Sequence, residues 1–304
     1  MRTTTLGGST LRILSYHRLE DPAAPRLDLA PDLVSATAAA FERHLQYLTG
    51  SYHPISAAQL LDSLQGRSRL PRGAVLITFD DAYRDFGELA WPLLKFYHVP
   101  AVLFVPTAFA EQPDRVFWWD ALWQVLSGSG RAETFSNVIA QLKALQPAAR
   151  DSALTELAER LGVQPQATKA VLSWSELRQL QSDGATIAAH SQTHQLLDQI
   201  SGAALTQEVQ GCRDDLVREL GTCAPLFAYP NGNVNAQTVQ ALRSAGFQVG
   251  FTTVHGWNRV ATTDRYLMRR DDGRASLRGL IVKLLGPVSA IQAMRHRLPS
   301  ASSS

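Results

Sequence analysis

The chain contains the stretch Ala74-Val75-Leu76-Ile77-Thr78-Phe79-Asp80-Asp81. Its apolar run predicts a buried β-strand, and two carboxylates follow at the point where that strand ends. The carboxyl ends of parallel strands form the ligand-binding edge of α/β proteins, so both acids are candidates for a site. Adjacent carboxylates repel each other unless a cation or a proton neutralises one of them. The alternative is that an aspartate only caps the helix that follows.

The rest of the chain repeats this alternation of short apolar runs and amphipathic segments. Further strands are predicted at 11–16, 101–105, 185–189, 226–229 and 248–251. Helices are predicted at 40–48, 57–64, 86–97, 175–181, 205–220 and 236–245. Alternating strands and helices predict an α/β fold with a parallel sheet covered by helices. This many units would close into a barrel, although an open sheet has the same sequence pattern.

One region interrupts the alternation. Residues 111–172 contain helical patterns but no convincing strand, and the helices are predicted at 121–126, 134–145 and 152–161. We interpret this region as a helical insertion between two βα units of a single domain that spans residues 1–304. The serine-rich end of the chain, about 299–304, is expected to be a flexible tail.

Composition and charge exclude several classes of protein. The chain has 304 residues, of which 45% are hydrophobic, and this is enough to form a large core. The formal net charge is +2 and no long run of lysine and arginine is present, so no nucleic-acid partner is expected. No segment approaches the ~20 apolar residues of a membrane-spanning helix, so no membrane span is expected.

The N-terminal residues and the cysteines predict where the protein works. The polar start and the short apolar run 11–14 do not form a secretory signal. Cys212 and Cys223 lack metal-binding spacing, and a single pair is no disulfide framework. We interpret both as reduced thiols of a cytoplasmic protein, and the sequence leaves the oligomeric state open.

A second candidate motif follows the predicted strand at 185–189. It reads His190-Ser191-Gln192-Thr193-His194. A His-x-x-x-His spacing places both imidazoles on one face of a helix, where they can share a metal ion. Two histidines and one aspartate would leave a coordination position open, as hydrolytic metal sites require. The alternative is a loop with two solvated histidines.

A third motif follows the predicted strand at 226–229. It contains Tyr229-Pro230-Asn231-Gly232, which is typical of a tight turn. The functional interpretation is that this turn directs a backbone N–H, that of Asn231, at a developing oxyanion. The alternative is a turn with no chemical role.

These three motifs, in this order, resemble the leading motifs of polysaccharide deacetylases, also called carbohydrate esterase family four or the NodB-homology domain. The similarity extends from 13–17 to 267–269, which is nearly the whole chain. The resemblance implies a distorted, incomplete (β/α)7 barrel. It also implies a divalent metal, usually zinc, held by Asp81, His190 and His194.

The resemblance further implies a hydrolase that removes N-acetyl groups from an N-acetylated amino sugar in a polysaccharide, an oligosaccharide or a glycan precursor. Asp80 would be the general base that deprotonates water while the metal polarises the amide carbonyl. The N–H of Asn231 would stabilise the oxyanion. Tyr229 and Pro230 are expected to contact the carbohydrate.

Some family features are absent, and other residues are expected to replace them. Ala82 stands where a glycine usually follows the aspartate pair, Ala228 stands where an arginine often supports the base, and the late Leu-x-His motif is missing. The pattern resembles a branch of the family that begins with Tyr-His and ends with Leu-x-Arg. In that branch His17 would enter the site as the general acid. Arg269 would steady Asp80, with Arg270 as its competitor.

Two questions of function stay open at this point. Trp118 opens the insertion within an aromatic cluster, which either stacks on sugar rings or anchors the insertion to the barrel. Rival functions are a deformylase or deacetylase of a lipid-linked sugar or small amide, and a non-catalytic sugar-binding module. The retained Asp80 argues against the last, because a binding protein needs no general base.

Overall fold

The computed structural model describes residues 10–274 and 276–285 of the chain. Its strands, in chain order, are β1 (Thr10–Tyr16), β2 (Arg18–Glu20), β3 (Val34–Thr37), β4 (His53–Pro54), β5 (Ala74–Phe79), β6 (Ala101–Val105), β7 (Thr186–Ala189), β8 (Leu226–Ala228), β9 (Val249–Phe251), β10 (Asn258–Arg259) and β11 (Asp271–Asp272).

The helices surround the sheet and carry its crossover connections. They are α1 (Ala38–Ser51), α2 (Ala57–Leu64), α3 (Trp91–Phe96), α4 (Thr107–Glu111), α5 (Trp118–Gly128), α6 (Phe135–Lys143), α7 (Pro147–Leu161), α8 (Trp174–Ser182), α9 (Gly202–Thr206), α10 (Cys212–Leu220) and α11 (Ala236–Ser244). The π-helical turns Phe86–Ala90 and Gln207–Gly211 lead into α3 and α10. Residues 277–285 are also helical.

The main sheet curls into a distorted, incomplete barrel. Strands β1, β5, β6, β7, β8 and β9 lie side by side in this order and pair in parallel. The chain then returns to the gap between β9 and β1. There Met268 forms a parallel bridge with Phe251, and β11 pairs with Leu14 and Ser15. Residues 268–272, the closing segment, therefore stand between the first and the last strand of the barrel.

The alternation of side chains along β5 decides which of them face the barrel interior. Leu76 packs among the apolar residues inside the barrel, whereas Phe79 packs in the core between the sheet and the helices. Because successive side chains of a strand point to opposite faces, Thr78 and then Asp80 continue the interior row. The first carboxylate of the aspartate pair therefore faces the axis of the barrel.

The region between β6 and β7 is mostly helical and is fixed to the loop after β5. The Tyr83 hydroxyl donates to Oδ2 of Asp120 at 2.7 Å and accepts a hydrogen bond from Nε1 of Trp119 at 2.9 Å. Oδ1 of Asp120 accepts the N–H of Ala30 at 2.7 Å. These buried bonds hold the start of α5 against Tyr83, which lies two residues after Asp81 in sequence.

The structure confirms the α/β barrel and the strands predicted for it, each within one residue of the predicted bounds. Strands β2, β3, β4, β10 and β11 were not predicted, because two to four residues are too few to show a periodicity. The helix predicted at 205–220 is interrupted by a π-helical turn. The predicted tail at 299–304 lies outside the described residues, and the single-domain assignment stays a prediction.

Two further observations concern the described part of the chain. Among residues 10–274 and 276–285, no helix combines the length and the apolar character needed to cross a bilayer. Cys212 is buried, Cys223 is half-buried, and both are free thiols.

Candidate active site and metal centre

Asp80 forms a buried ion pair with Arg270 of the closing segment. The guanidinium Nη1 donates to Oδ1 and Nη2 donates to Oδ2, each at 2.7 Å, and the two side chains are 0% and 3% exposed. Nε of Arg270 also donates to the carbonyl of Thr252 at 2.9 Å. Burial alone would raise the pKa of Asp80, but the charge of Arg270 brings it below the ordinary value. Asp80 is therefore ionised at neutral pH.

The prediction that Arg269 steadies Asp80 is wrong. Arg269 is exposed, and its Nη1 donates to the carbonyl of His255 at 3.2 Å. The closing segment is extended here, so consecutive side chains point to opposite faces. Arg270 therefore enters the barrel and Arg269 leaves it. Arg270, the alternative named from the sequence, is therefore the residue that binds the Asp80 carboxylate.

Asp81, His190 and His194 converge on one point. Nε2 of His190 lies 3.3 Å and Nε2 of His194 lies 3.2 Å from Oδ1 of Asp81. The two imidazole rings lie 4.8 Å apart at an interplanar angle of 76°. One candidate ligand atom from each residue lies within 4.8 Å of the other two. The structure therefore brings together the three residues predicted to bind a metal.

A turn, not a helix, brings the two histidines together. Residues 190–194 are not helical, so the interpretation of the His-x-x-x-His spacing as one helical face is wrong. Ser191 and His194 adopt left-handed backbone conformations with φ of 62° and 60°, and Oγ of Ser191 accepts the N–H of His194 at 3.0 Å. Such conformations are unfavourable and persist where the surrounding structure imposes them.

Glu208, in the π-helical turn before α10, imposes this conformation on the histidine loop. Its carboxylate accepts the N–H of Thr193 at 2.9 Å and a second hydrogen bond from the Thr193 hydroxyl. Its carbonyl accepts the N–H of Gln192 at 3.1 Å. The sequence analysis did not identify Glu208, because only the fold brings it next to the motif.

The donor set fits a divalent cation. Nδ1 of His190 is 2.8 Å from the carbonyl oxygen of Ala228, so this nitrogen carries the proton and the Nε2 lone pair faces Asp81. Oδ1 of Asp81 is buried and accepts no hydrogen bond from the described residues. A buried acceptor of this kind is unfavourable without a partner. Two imidazole nitrogens and one carboxylate oxygen form a common ligand set for zinc.

The electrostatics of two of the three ligands, Asp81 and His194, favour the forms that bind a cation. Burial would raise the pKa of Asp81, but the two imidazoles hold it well below its ordinary value. Burial lowers the pKa of His194. Burial also acts on His190, where the Asp81 carboxylate outweighs it and raises the pKa. His190 therefore retains a proton more strongly than His194 does. A cation that binds here must displace that proton.

His17 lies in the wall of the same cavity as Asp80 and Asp81. Its Nδ1 is buried and has no hydrogen-bond partner among residues 10–274 and 276–285, while its main-chain N–H donates to Oγ of Ser35 at 2.9 Å. A protonated His17 is close enough to lower the pKa of both carboxyls. Its location agrees with the role predicted for it, and the role itself stays a prediction.

Asn231 also lines the cavity, and the turn that carries it is closely packed. Asn231 is left-handed with φ of 57°, and its carbonyl accepts a hydrogen bond from Oγ1 of Thr253 at 3.1 Å. A Cβ atom added to Gly232, where φ is +77°, would lie 2.5 Å from the nitrogen of Thr253. This position therefore requires glycine. The oxyanion role of Asn231 stays a prediction.

Tyr229 and Pro230 are not among the residues that line the cavity, and their predicted contact with substrate stays a prediction. Tyr229 is fully buried, and its hydroxyl donates to the carbonyl of Tyr266 at 3.0 Å. Pro230 is also buried. Both side chains therefore pack at the turn that carries Asn231.

The helical insertion forms one wall of the cavity. The cavity has a volume of about 390 Å³, near the lower end of the ~300–1,000 Å³ usual for small-molecule sites. The ring of Trp119 lies 4.9 Å from that of His194, and half-buried Trp118 lines the cavity beside it. Substrate binding by Trp118 stays a prediction. Helices α6 and α7 add Phe135, Ile139, Lys143 and Arg150 to the wall.

Known proteins resemble this chain in sequence. The sequence model of the family described as polysaccharide deacetylase matches residues 67–250, a range that contains all three motifs. The poly-beta-1,6-N-acetyl-D-glucosamine N-deacetylase of Escherichia coli (strain K12) is 24% identical over 256 residues, which are 83% of this chain and 35% of that protein. The chain thus spans about a third of the length of the curated relative it matches.

Solved structures share the fold. The deacetylase PplD of Streptococcus pyogenes, solved in complex with acetate, superposes with a TM-score of 0.65 at 20% identity and covers 91% of this chain and 99% of that one. A de-N-acetylase from Aggregatibacter actinomycetemcomitans superposes with a TM-score of 0.63 at 17% identity, over 90% and 100% of the two chains. At these identities the likeness shows the fold alone.

Replacing His194 tests the metal centre. We expect His194→Gln to weaken zinc binding at least ~100-fold. Replacing a residue that only orients a metal ligand already costs about 10- to 100-fold in affinity, and loss of the ligand itself should cost more. Competition with a fluorescent zinc chelator measures the affinity. His98→Gln is the matched control, since His98 is exposed and belongs to another surface. Equal zinc affinity in His194→Gln and the wild type would contradict the assignment.

Replacing Arg270 tests the ion pair. We expect Arg270→Met to lower the free energy of unfolding by about 3–5 kcal/mol at neutral pH, because it leaves a buried carboxylate without its partner. In the variant, burial acts without the opposing charge of Arg270, so the pKa of Asp80 is higher than in the wild type and the carboxyl becomes protonated earlier as the pH falls. The loss of unfolding free energy relative to the wild type should therefore be smaller at acidic pH. Urea unfolding at several pH values measures it.

The matched control for this pair is Arg269→Met, which removes the same charge from the adjacent, exposed position. Its effect should stay within about 0.5 kcal/mol, as for most surface substitutions. A deficit in Arg269→Met as large as that in Arg270→Met would contradict the pairing described above.

Proposed function

This chain belongs to the polysaccharide deacetylase family, and on that premise we propose that it is a metal-dependent hydrolase that removes N-acetyl groups from an N-acetylated amino sugar. The curated relative in Escherichia coli is named for this activity on poly-beta-1,6-N-acetyl-D-glucosamine. We extend the reaction to this chain and leave the length of its carbohydrate open.

The observation that carries the proposal is the pairing of an ionised base with an adjacent metal-ligand set. Asp80 keeps its charge because Arg270 binds both carboxylate oxygens. Each oxygen retains a second lone pair that can accept a proton. The next residue, Asp81, belongs to the ligand set. A protein that only binds sugars can use a metal-ligand set, but it needs no general base. The presence of both features therefore favours hydrolysis.

A divalent cation, for which we propose zinc, would polarise the acetyl carbonyl and make water more acidic. The residues of the chain supply the remaining steps. Asp80 accepts a proton from water as the water oxygen bonds to the carbonyl carbon. Negative charge then develops on the carbonyl oxygen, where the N–H of Asn231 stabilises it. The C–N bond breaks, and acetate and a free amine are the products.

The leaving nitrogen requires a proton, and His17 is the residue we propose to donate it. An unprotonated amide nitrogen is a poor leaving group, so a general acid is needed. His17 lines the cavity with Asp80 and Asn231 and is absent from the ligand cluster. Imidazole is the side-chain group that enzymes use most often for general acid–base catalysis. The cytoplasmic location expected from the N-terminal residues stays a prediction.

Turnover by Asp80→Asn tests the proposed reaction. Zinc-loaded wild-type protein should release acetate from N-acetylglucosamine oligomers, and Asp80→Asn should be at least ~10²-fold slower because the amide cannot accept the proton. The variant should keep its zinc, since Asp80 is not among the ligands. Zinc content and acetate release are measured on the same samples. Wild-type rates in Asp80→Asn would remove it from the role of base.

His17→Ala tests the general acid by comparing two leaving groups. We expect the variant to retain zinc and to lose N-deacetylation by about 10²-fold or more. Hydrolysis of an aryl acetate ester should fall much less, because a phenolate leaves without a proton. The ratio of the two rates separates proton donation from general damage to the site. Equal losses on amide and ester would contradict the assignment.

A further inference from the structure

The insertion gives the cavity a positively charged wall. Lys143 ends α6, Arg150 lies in α7, and Arg274 follows β11, yet all three line the cavity that holds the metal ligands. None of them takes part in the reaction described above. Their positive charges therefore need another explanation.

Arg150 is the most informative of the three because it is buried. It is 5% exposed, and its guanidinium lies over the ring of Trp118 at 4.9 Å from the centroid. Among the described residues, its carboxylate partner is Asp151, whose Oδ1 lies 3.3 Å from Nε of Arg150. The Asp151 side chain is 63% exposed. A buried guanidinium has more donors than this single contact uses. Its Nη groups are suited to the paired oxygens of a carboxylate or phosphate group that enters the cavity.

Lys143 and Arg274 add positive charge to the cavity lining, and both side chains are exposed. Partial burial of the Lys143 ammonium lowers its pKa, the carboxylate of Asp32 opposes that effect, and the like charge of Arg274 adds to it. Lys143, Asp32 and Arg274 are therefore close enough to interact. Like charges held together in this way repel each other unless an anion lies between them.

Among the side chains that line the cavity, positive charges outnumber negative ones. Asp80 is neutralised by Arg270, and Asp81 faces the cation site. Of the charged residues that remain in the lining, Asp32 opposes Lys143, Arg150 and Arg274. Outside the lining, Asp151 lies 3.3 Å from Nε of Arg150 and Asp272 lies 3.9 Å from Nε of Arg274. Such a wall repels the ammonium groups that deacetylation creates on neighbouring sugars and attracts negatively charged groups. A neutral polymer that becomes cationic as it is processed is therefore a poor match for it.

We propose that this cavity accepts an N-acetylated sugar that carries a negatively charged oxygen group, and that Lys143, Arg150 and Arg274 bind that group. This inference rests on the proposed function for its reaction and adds the class of substrate. A phosphate ester and a carboxylate offer the same anionic oxygens, and the test distinguishes them.

The first experiment compares three substrates of the zinc-loaded full chain. They are N-acetylglucosamine 1-phosphate, a disaccharide of N-acetylglucosamine and glucuronic acid, and the neutral dimer of N-acetylglucosamine. The kcat/KM should be at least about 10-fold higher for one anionic substrate than for the neutral dimer, and added salt should reduce this preference by screening. The anionic substrate that is preferred identifies the group as phosphate or carboxylate.

Variants of exposed residues test which charges create the preference. Lys143→Gln should reduce it about 3- to 10-fold, because a charge-assisted contact is lost. Asp32→Asn should increase it, because an opposing charge is removed. Lys95→Gln is the matched control, since Lys95 pairs with Asp183 on the outer surface and is not in the cavity lining. Arg150 is kept, because its replacement would also remove packing on Trp118.

A binding measurement separates this inference from the proposed function. Calorimetry with chelator-treated protein compares both anionic sugars with the neutral dimer of N-acetylglucosamine, so neither turnover nor direct contact with zinc contributes. The anionic sugar preferred in turnover should bind more tightly than the neutral dimer, and Lys143→Gln should remove most of the difference. If neutral sugars are deacetylated but neither anionic group improves turnover or binding, the inference fails and the proposed function stands. If no N-acetyl sugar is deacetylated but Lys143 still controls binding, the proposed function fails and the anion site stands.

Discussion

The buried ion pair between Asp80 and Arg270 is the interaction on which the rest of this structure depends. Its two hydrogen bonds of 2.7 Å join the end of β5 to the segment that fills the gap between β9 and β1. A buried charge pair gives little net stability compared with apolar packing, but it is strongly unfavourable to break. The pair therefore specifies how the incomplete barrel closes. The same contact lowers the pKa of the base inside the barrel, where burial alone would raise it.

Strand register explains how a short sequence places so many functional groups. Asp80, His190 and Asn231 follow β5, β7 and β8, whose carboxyl ends meet at one mouth. The turns after these strands include left-handed residues that are not glycine, and hydrogen bonds such as that from Ser191 to His194 hold them. The unfavourable backbone conformations of these turns therefore serve to position the metal ligands.

The parts of the site that could be predicted from the sequence are those that a single strand end determines. The apolar run before Asp80 and Asp81 is long enough to show its period, and so is the run before His190. Arg270 and Arg269 could not be separated, because β11 has two residues and no pattern shows which neighbour points inward. Glu208, Lys143 and Arg150 were not identified for a different reason. Their roles arise from tertiary contacts across helices that have ordinary amphipathic sequences.

The central claim is that the turns after β5 and β7 assemble one metal centre beside the Asp80 base, and anomalous diffraction from zinc-soaked crystals tests it most directly. The account predicts one strong peak at the zinc edge, with Oδ of Asp81 and Nε2 of both histidines at about 2.0–2.2 Å. Asp80 should remain paired with Arg270 outside the coordination sphere. A zinc ion bound elsewhere, or one coordinated by Asp80 in place of Asp81, would contradict the account.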